Sequence, residues 1–86
     1  MAHFKYQIAS DIVRNGLGLE LLNAEGDVLA EVFRCDKDHT VIISTFGNDL
    51  PAFEVEALIS KAKSELDPFE DGTPLQSAFS VGSGET

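Results

Sequence analysis

The chain has 86 residues, 43% of them apolar, with 15 Asp and Glu against 6 Lys and Arg and a formal net charge of -9. This apolar fraction is typical of a folded domain and exceeds that of disordered acidic chains. Nucleic acids and anionic lipids both attract a positive patch, and here the few cations are scattered along the chain. We therefore expect neither nucleic-acid nor membrane binding.

The cysteine content and the hydropathy pattern indicate the compartment. Cys35 is the single cysteine, so an internal disulfide framework and a cysteine-rich zinc site are both excluded. The N-terminal residues alternate between polar and apolar, unlike a secretory signal, and no later stretch approaches the length of an apolar membrane span. We expect a cytoplasmic protein.

Strand patterns occupy the first half of the chain. Phe4, Tyr6 and Ile8 alternate with polar residues and predict a first strand, whereas residues 10–16 are compatible with either strand or one helical turn. Further strands are predicted at 17–22, 28–35 and 40–46. The connectors "NAEGD" and "DKDH" are too short for a parallel crossover, so these strands form an antiparallel meander.

One amphipathic helix is predicted to follow the strands, from Pro51 to about Leu66. Its apolar residues recur at helical spacing and share one stripe: Val55, Leu58, Ile59, Ala62 and Leu66. Pro51 suits the first helical position, and Pro68 ends the helix because it lacks an N–H. The predicted fold is α+β, a three- or four-stranded antiparallel β-meander followed by one α-helix packed on one face.

The sequence places the domain boundary after the helix. Residues 1–72 form the predicted domain, and residues 73–86, rich in Gly, Ser and Thr without a sustained period, form a flexible acidic tail. Phe69 lies between the two and has two interpretations. A turn at Asp67 and Pro68 would fold its ring back onto the domain. Alternatively "DPF", which resembles the adaptor-binding tripeptides of endocytic proteins, is a docking motif.

The strands carry apolar residues on both faces, but one helix covers only one of them. The side of strand 28–35 with Ala30 and Val32 carries no charge in this interpretation and is assigned to the helix. On the opposite side Leu22, Leu29 and Phe33, joined by Ile42 or Phe46, are predicted to form an exposed patch. Either the chain forms a homodimer there, or the N-terminal strand or Phe69 covers the patch. The predicted interaction surface is Leu22, Leu29, Phe33 and Phe69.

The turn between the third and fourth predicted strands holds the candidate chemistry. Cys35 and His39 flank it, as a nucleophile and its base would, and Asp36, Asp38 and His39 offer metal ligands. No glycine-rich segment beside Cys35 indicates an oxyanion hole, and the turn lacks the pattern of a calcium loop. We therefore expect a solvated turn, with no catalytic residue, no metal and no cofactor.

Three functional hypotheses follow from these patterns. The first is a non-catalytic protein-interaction or accessory domain, because convergent polar groups are scarce. The second is an acidic inhibitor or immunity-type protein that binds a basic protein surface, as its charge permits. The third is a small enzyme or metal-binding protein that uses Cys35, Asp36, Asp38 and His39.

Overall fold

The computed structural model of the chain describes residues 4–79. Four strands form one antiparallel sheet in the order of the sequence: β1 (Lys5–Asp11), β2 (Gly16–Leu22), β3 (Val28–Cys35) and β4 (Thr40–Ser44). They are followed by helix α1 (Ala52–Glu65) and a short 3-10 helix (Leu75–Ala78). The four-stranded alternative of the predicted α+β meander is thereby confirmed. Within residues 4–79, every helix is too short or too polar to cross a membrane.

Asn23 and Gly26 form the hairpin turn between β2 and β3. The side-chain oxygen of Asn23 accepts hydrogen bonds from the backbone N–H groups of Glu25 and Asp27, each at 2.9 Å. Gly26 has a φ of 90°, a conformation that residues with a Cβ rarely adopt. The turn fixes β2 against β3, with Leu19 opposite Val32 and Leu21 opposite Ala30.

Helix α1 begins and ends close to the two prolines. Pro51, the predicted first helical residue, is the N-cap with a ψ of 142°, so the helix begins one position later than predicted. Its carbonyl accepts hydrogen bonds from the backbone N–H groups of Glu54 and Val55. At the other end Leu66 is the C-cap and donates to the carbonyl of Ala62. Leu58, Ala62 and Leu66 are buried, whereas Val55 and Ile59 on the same stripe are half-buried.

The main core lies between α1 and the two central strands. Its buried residues come from β2, β3, α1 and the segment that follows the helix: Leu19, Leu21, Ala30, Val32, Leu58, Ala62, Leu66, Phe69 and Leu75. Ala30 and Val32 therefore face the helix, as predicted. Ile8 of β1 and Ile43 of β4, which lie on this face at the two edges of the sheet, stay 46% and 44% exposed.

The chain after α1 folds back onto the core. Phe69 is 1% exposed, so the interpretation in which its ring packs on the domain is confirmed and the docking motif is not exposed. A further turn follows Phe69, in which Gly72 donates its N–H to the carbonyl of Phe69 at 2.8 Å. Leu75 is equally buried, and its N–H donates to the Asp67 carboxylate at 2.8 Å.

These contacts move the domain boundary. The packed part of the chain continues past the predicted limit at residue 72 and includes the 3-10 helix, because Leu75 fills the core. Residues 73–79 are therefore part of the domain and not of a flexible tail. The rest of the predicted tail, residues 80–86, lies outside the described residues.

Candidate interaction surface

The sheet face opposite α1 does not carry the predicted exposed patch. Phe33 is 2% exposed and Leu22 is 8% exposed, and Leu29 is half-buried. The glycines of β2 make this possible, since they leave room for larger neighbours on the same face. A Cβ on Gly16 would lie 2.5 Å from the ring of Phe33, and a Cβ on Gly18 would lie 2.5 Å from the carboxylate of Glu31. The predicted exposure of Leu22 and Phe33 is therefore wrong.

Arg14 covers this face from the loop between β1 and β2. Its guanidinium carbon lies 3.9 Å from the centroid of the Phe33 ring, within the range of a cation–π contact. The same guanidinium donates two hydrogen bonds to Glu31, at 3.1 and 3.0 Å, and one to Asp11 at 2.6 Å. Neither of the covers predicted from the sequence, the N-terminal strand or Phe69, occupies this position.

The charges around Arg14 stabilise one another. The backbone N–H of Arg14 and then its side chain donate hydrogen bonds to Asp11, and both lower the pKa of that carboxyl below its usual value. The carboxylates of Glu31 and Asp11 raise the pKa of Arg14. Glu31 is the buried charged residue of this face at 5% exposure, so the paired guanidinium satisfies a carboxylate that water hardly reaches.

The candidate catalytic and metal-binding residues each contact a different partner. The Cys35 thiol lies 3.7 Å from the Asp38 carboxylate, on the face opposite α1. His39 donates from Nε2 to Asp71 at 2.7 Å and packs edge-on against Phe69. The structure therefore does not bring Cys35 and His39 together as nucleophile and base.

Asp36 likewise has partners of its own. Its carboxylate accepts from Arg34 at 3.0 Å and from the backbone N–H of Glu70 at 2.8 Å. Arg34 also donates to the carbonyls of Leu66 and Pro68, each at 2.9 Å, at the end of α1. Across residues 4–79 no group of three His, Cys, Asp or Glu residues is placed to hold a metal ion. Asp36 thus joins β3 to the chain that follows the helix.

A surface cavity of about 270 Å³ lies beside Arg34, at the end of the sheet that holds the loop between β1 and β2. Its lining residues include three acidic residues, Asp11, Asp36 and Glu70, together with Arg34. Ile12 also contributes to its wall and is 92% exposed, and its neighbour Val13 is 95% exposed. The cavity is therefore acidic, with an apolar loop tip at its rim.

One set of exposed apolar residues comes from β4, from the loop that follows it and from the first turn of α1. Its members are more than two-fifths exposed: Ile42 at 51%, Ile43 at 44%, Phe46 at 59% and Phe53 at 67%. We call these four residues, with the backbone of β4, the β4 edge. Ile42 and Phe46 were already candidates from the sequence, whereas Ile43 and Phe53 were not.

β4 is an edge strand without the usual protection against pairing. It pairs with β3 on one side and has no strand on its other side within the described sheet. Its sequence "TVIIS" contains no charge and no proline, and its pairing with β3 is regular. The opposite edge strand, β1, carries Lys5 and Asp11 at its two ends. Proteins commonly protect edges with charges, prolines or bulges, and β4 has none of these.

A contact at the end of β4 limits its pairing with β3. The side-chain amide of Asn48 donates to the carbonyl of Leu29 at 3.0 Å and to that of Thr45 at 3.0 Å. This amide takes the place that the next residue of β4 would occupy beside β3. The chain therefore leaves the sheet after Ser44, and Phe46 and Phe53 lie beyond the strand.

The predicted meander implies that its last strand is an edge, but sequence reasoning did not single out β4 as an interaction surface. Nothing in the residues of β4 distinguishes an edge strand from a central one, and an uncharged apolar run is typical of central strands. Comparisons with protein-family models, with curated proteins and with solved structures gave no significant match for this chain.

Proposed function

We propose that this chain is a small cytosolic, non-catalytic protein-interaction domain that binds its partner along the β4 edge. The observation that carries the proposal is the combination of an unpaired, uncharged edge strand with four exposed apolar side chains. A strand added to such an edge gains backbone hydrogen bonds and places alternate side chains on the two faces of the sheet.

Magnitudes favour strand addition over simple apolar contact. Burying the exposed part of four large side chains contributes about 1 kcal/mol each, or about 4 kcal/mol in all. Association costs at least about 4 kcal/mol in lost translational and rotational freedom. Apolar contact alone therefore gives only weak binding, and the additional backbone hydrogen bonds, worth about 1 kcal/mol each, make the complex stable.

Affinity capture with paired variants tests this proposal. Ile42→Lys combined with Ile43→Lys places charges on the β4 edge, and Ile8→Lys places one on the β1 edge, where Ile8 is similarly exposed. We expect the partner to be recovered by the wild-type chain and by the Ile8 variant, but not by the β4 variant. Equal recovery by all three chains would contradict the proposal.

A second candidate function is supported by the acidic cavity. Two of its three acidic lining residues are already paired, Asp11 with Arg14 and Asp36 with Arg34, so the carboxylate of Glu70 would attract a basic side chain of a partner protein. The apolar tip at Ile12 and Val13 would then contact the surface around that side chain. This arrangement suits an inhibitor or immunity-type protein that covers a basic site.

The probe for the second candidate function is Nα-acetyl-lysine amide, which keeps its side-chain ammonium group. The corresponding norleucine derivative is the neutral control. We expect the lysine probe alone to shift amide signals of Asn15, Gly16 and Glu70 in an NMR titration, with weaker shifts at high salt. Glu70→Gln should weaken binding, whereas Glu25→Gln, at the opposite end of the sheet, should not. Identical shifts with both probes would eliminate this function.

A further inference from the structure

We propose that the partner on the β4 edge is a second copy of this chain, and that the two β4 strands pair antiparallel about a two-fold axis at Ile42. This inference rests on the proposed function, which assigns the edge but not its occupant. The result would be one continuous eight-stranded sheet, because each copy contributes its four strands. Two-fold dimers are the commonest closed assemblies.

The sequence of β4 is complementary to itself when reversed. With Ile42 on the axis, Ile42 meets Ile42 of the second copy, and Val41 meets Ile43. Thr40 at one end of the strand meets Ser44 at the other. Pairs of β-branched apolar residues and pairs of hydroxyl residues are both favourable across antiparallel strands.

The same register matches the faces of the two sheets. In each copy Val41 and Ile43 lie on the face that carries α1, because they pair with Arg34 and Val32 of β3. Ile42 lies on the opposite face with its neighbour Phe33. Because side chains alternate along a strand, pairing about Ile42 keeps each apolar residue on the face that it already occupies.

Charge also favours a second copy at this edge in spite of the net charge of -9 on each chain. Residues 40–44 carry no ionisable group, so the paired strands place no acid opposite an acid. Exposed charges outside β4 are screened by salt.

The β1 edge is the competing site for self-association, and it is less suitable. A register centred on Ile8 would place Lys5 opposite Asp11, but Asp11 already accepts two hydrogen bonds from Arg14. The remaining pairs combine Gln7 with Ala9 and Tyr6 with Ser10, which bury little apolar surface. Ile8 is therefore the matched control position for every test of Ile42.

Sedimentation velocity of the full chain measures the assembly. We expect a species of twice the 9.3 kDa chain mass that dissociates on dilution. Ile42→Lys should weaken association at least about tenfold, since it places two ammonium groups face to face on the axis. Ile8→Lys should leave the association constant unchanged. A wild-type chain that stays monomeric at high concentration would overturn the proposal.

Disulfide formation tests the register. Residues facing each other in an antiparallel pair have Cα atoms about 4.5–5.5 Å apart, within the range of a disulfide. With oxidised glutathione as the electron acceptor, Ile42→Cys should cross-link rapidly to a covalent dimer. The wild-type chain, with only the buried Cys35, and Ile8→Cys should not. Equally fast cross-linking of the Ile8 variant would contradict the assigned edge.

The outcomes separate the two proposals. Suppose that the chain is monomeric in sedimentation but captures another protein, and that the lysine substitutions on β4 abolish this capture. The inferred occupant is then wrong, and the proposed function stands. If β4 lysines affect neither self-association nor capture, both are wrong. Circular dichroism of each variant establishes that it is folded, as the 51% exposure of Ile42 leads us to expect.

Discussion

The guanidinium of Arg14 lies over the ring of Phe33, 3.9 Å from its centroid, and also binds the buried carboxylate of Glu31. One side chain from a hairpin loop therefore covers an aromatic ring and neutralises a charge on the face that α1 does not reach. This relationship explains why a sheet with apolar residues on both faces has little exposed apolar surface at its centre. Exposure is concentrated at the edges instead.

Replacing Arg14 should destabilise the chain more than replacing an ordinary surface cation. Arg14→Met leaves Glu31, whose side chain is 7% exposed, without its partner, which costs about 1–3 kcal/mol. Glu31→Met in the same background should recover part of that loss, because no buried charge then remains unpaired. Urea unfolding of both single variants and the double variant measures the coupling. Lys37→Met, at an exposed turn position, is the control, and an equal effect at Lys37 would contradict this role.

Arg34 should be irreplaceable by lysine. Its side chain is 14% exposed and bridges Asp36 to the carbonyls of Leu66 and Pro68, which requires a planar fork of donors. We expect Arg34→Met to cost about 3–5 kcal/mol, because it leaves the nearly buried carboxylate of Asp36 without its cationic partner. Arg34→Lys should recover less than half of this loss. Chemical denaturation measures the free energy of unfolding of the wild type and of both variants. Full recovery with lysine would contradict this prediction, because a positive charge alone would then supply the stabilisation.

Leu75 should contribute to stability as a core residue. It is 1% exposed, and replacing a fully buried leucine by alanine costs about 2–5 kcal/mol. Ile12→Ala is the matched control, because Ile12 is 92% exposed and its loss should change the free energy of unfolding by less than about 0.5 kcal/mol. If Leu75→Ala were equally harmless, residues 73–79 would not belong to the domain.

Asp71 should contribute to the acid sensitivity of the fold. Backbone and side-chain hydrogen bonds at Thr73, with His39, lower the pKa of Asp71 from 3.8. Because the pKa is lower in the folded state, the stabilisation is present above pH 3.8 and is lost as the pH falls through the lowered pKa.

Asp71→Asn therefore isolates this contribution. The wild-type chain should be more stable than the variant at about pH 6, and the difference should shrink as the pH falls below 3.8 and through the lowered pKa of Asp71. Asp49→Asn, at an exposed loop position, should show no such convergence. Thermal unfolding across this pH range measures both differences. A gap between wild type and Asp71→Asn that stays constant with pH would contradict the assignment.

The local elements of this fold are predictable from the sequence because their causes are local. The turn at Asn23 and Gly26, the stripe along α1 and the interruption at Pro68 each depend on residues a few positions apart. The second face of the sheet depends on Arg14, Gly16 and Phe33, which meet only through the register of β2 with β3. No pattern within one strand indicates that a glycine makes room for a ring on its neighbour.

The sequence does contain a signal for the position of Arg34. It continues the alternation of Ala30 and Val32 and so lies on the helix side of β3, next to the end of α1. A cation at that position suits the partial negative charge of a helix C-terminus. The free edge at β4, by contrast, follows from strand order, because the last strand of the predicted meander is an edge whether three or four strands form the sheet.

Amide hydrogen exchange along β4 at low and high protein concentration tests the self-pairing of this edge most directly. The account predicts that outward-facing amides of residues 40–44 exchange more slowly as concentration rises, while exchange in β1 stays constant, because only β4 acquires a neighbouring strand. Exchange in β4 that is independent of concentration, or protection gained at β1 instead, would contradict it.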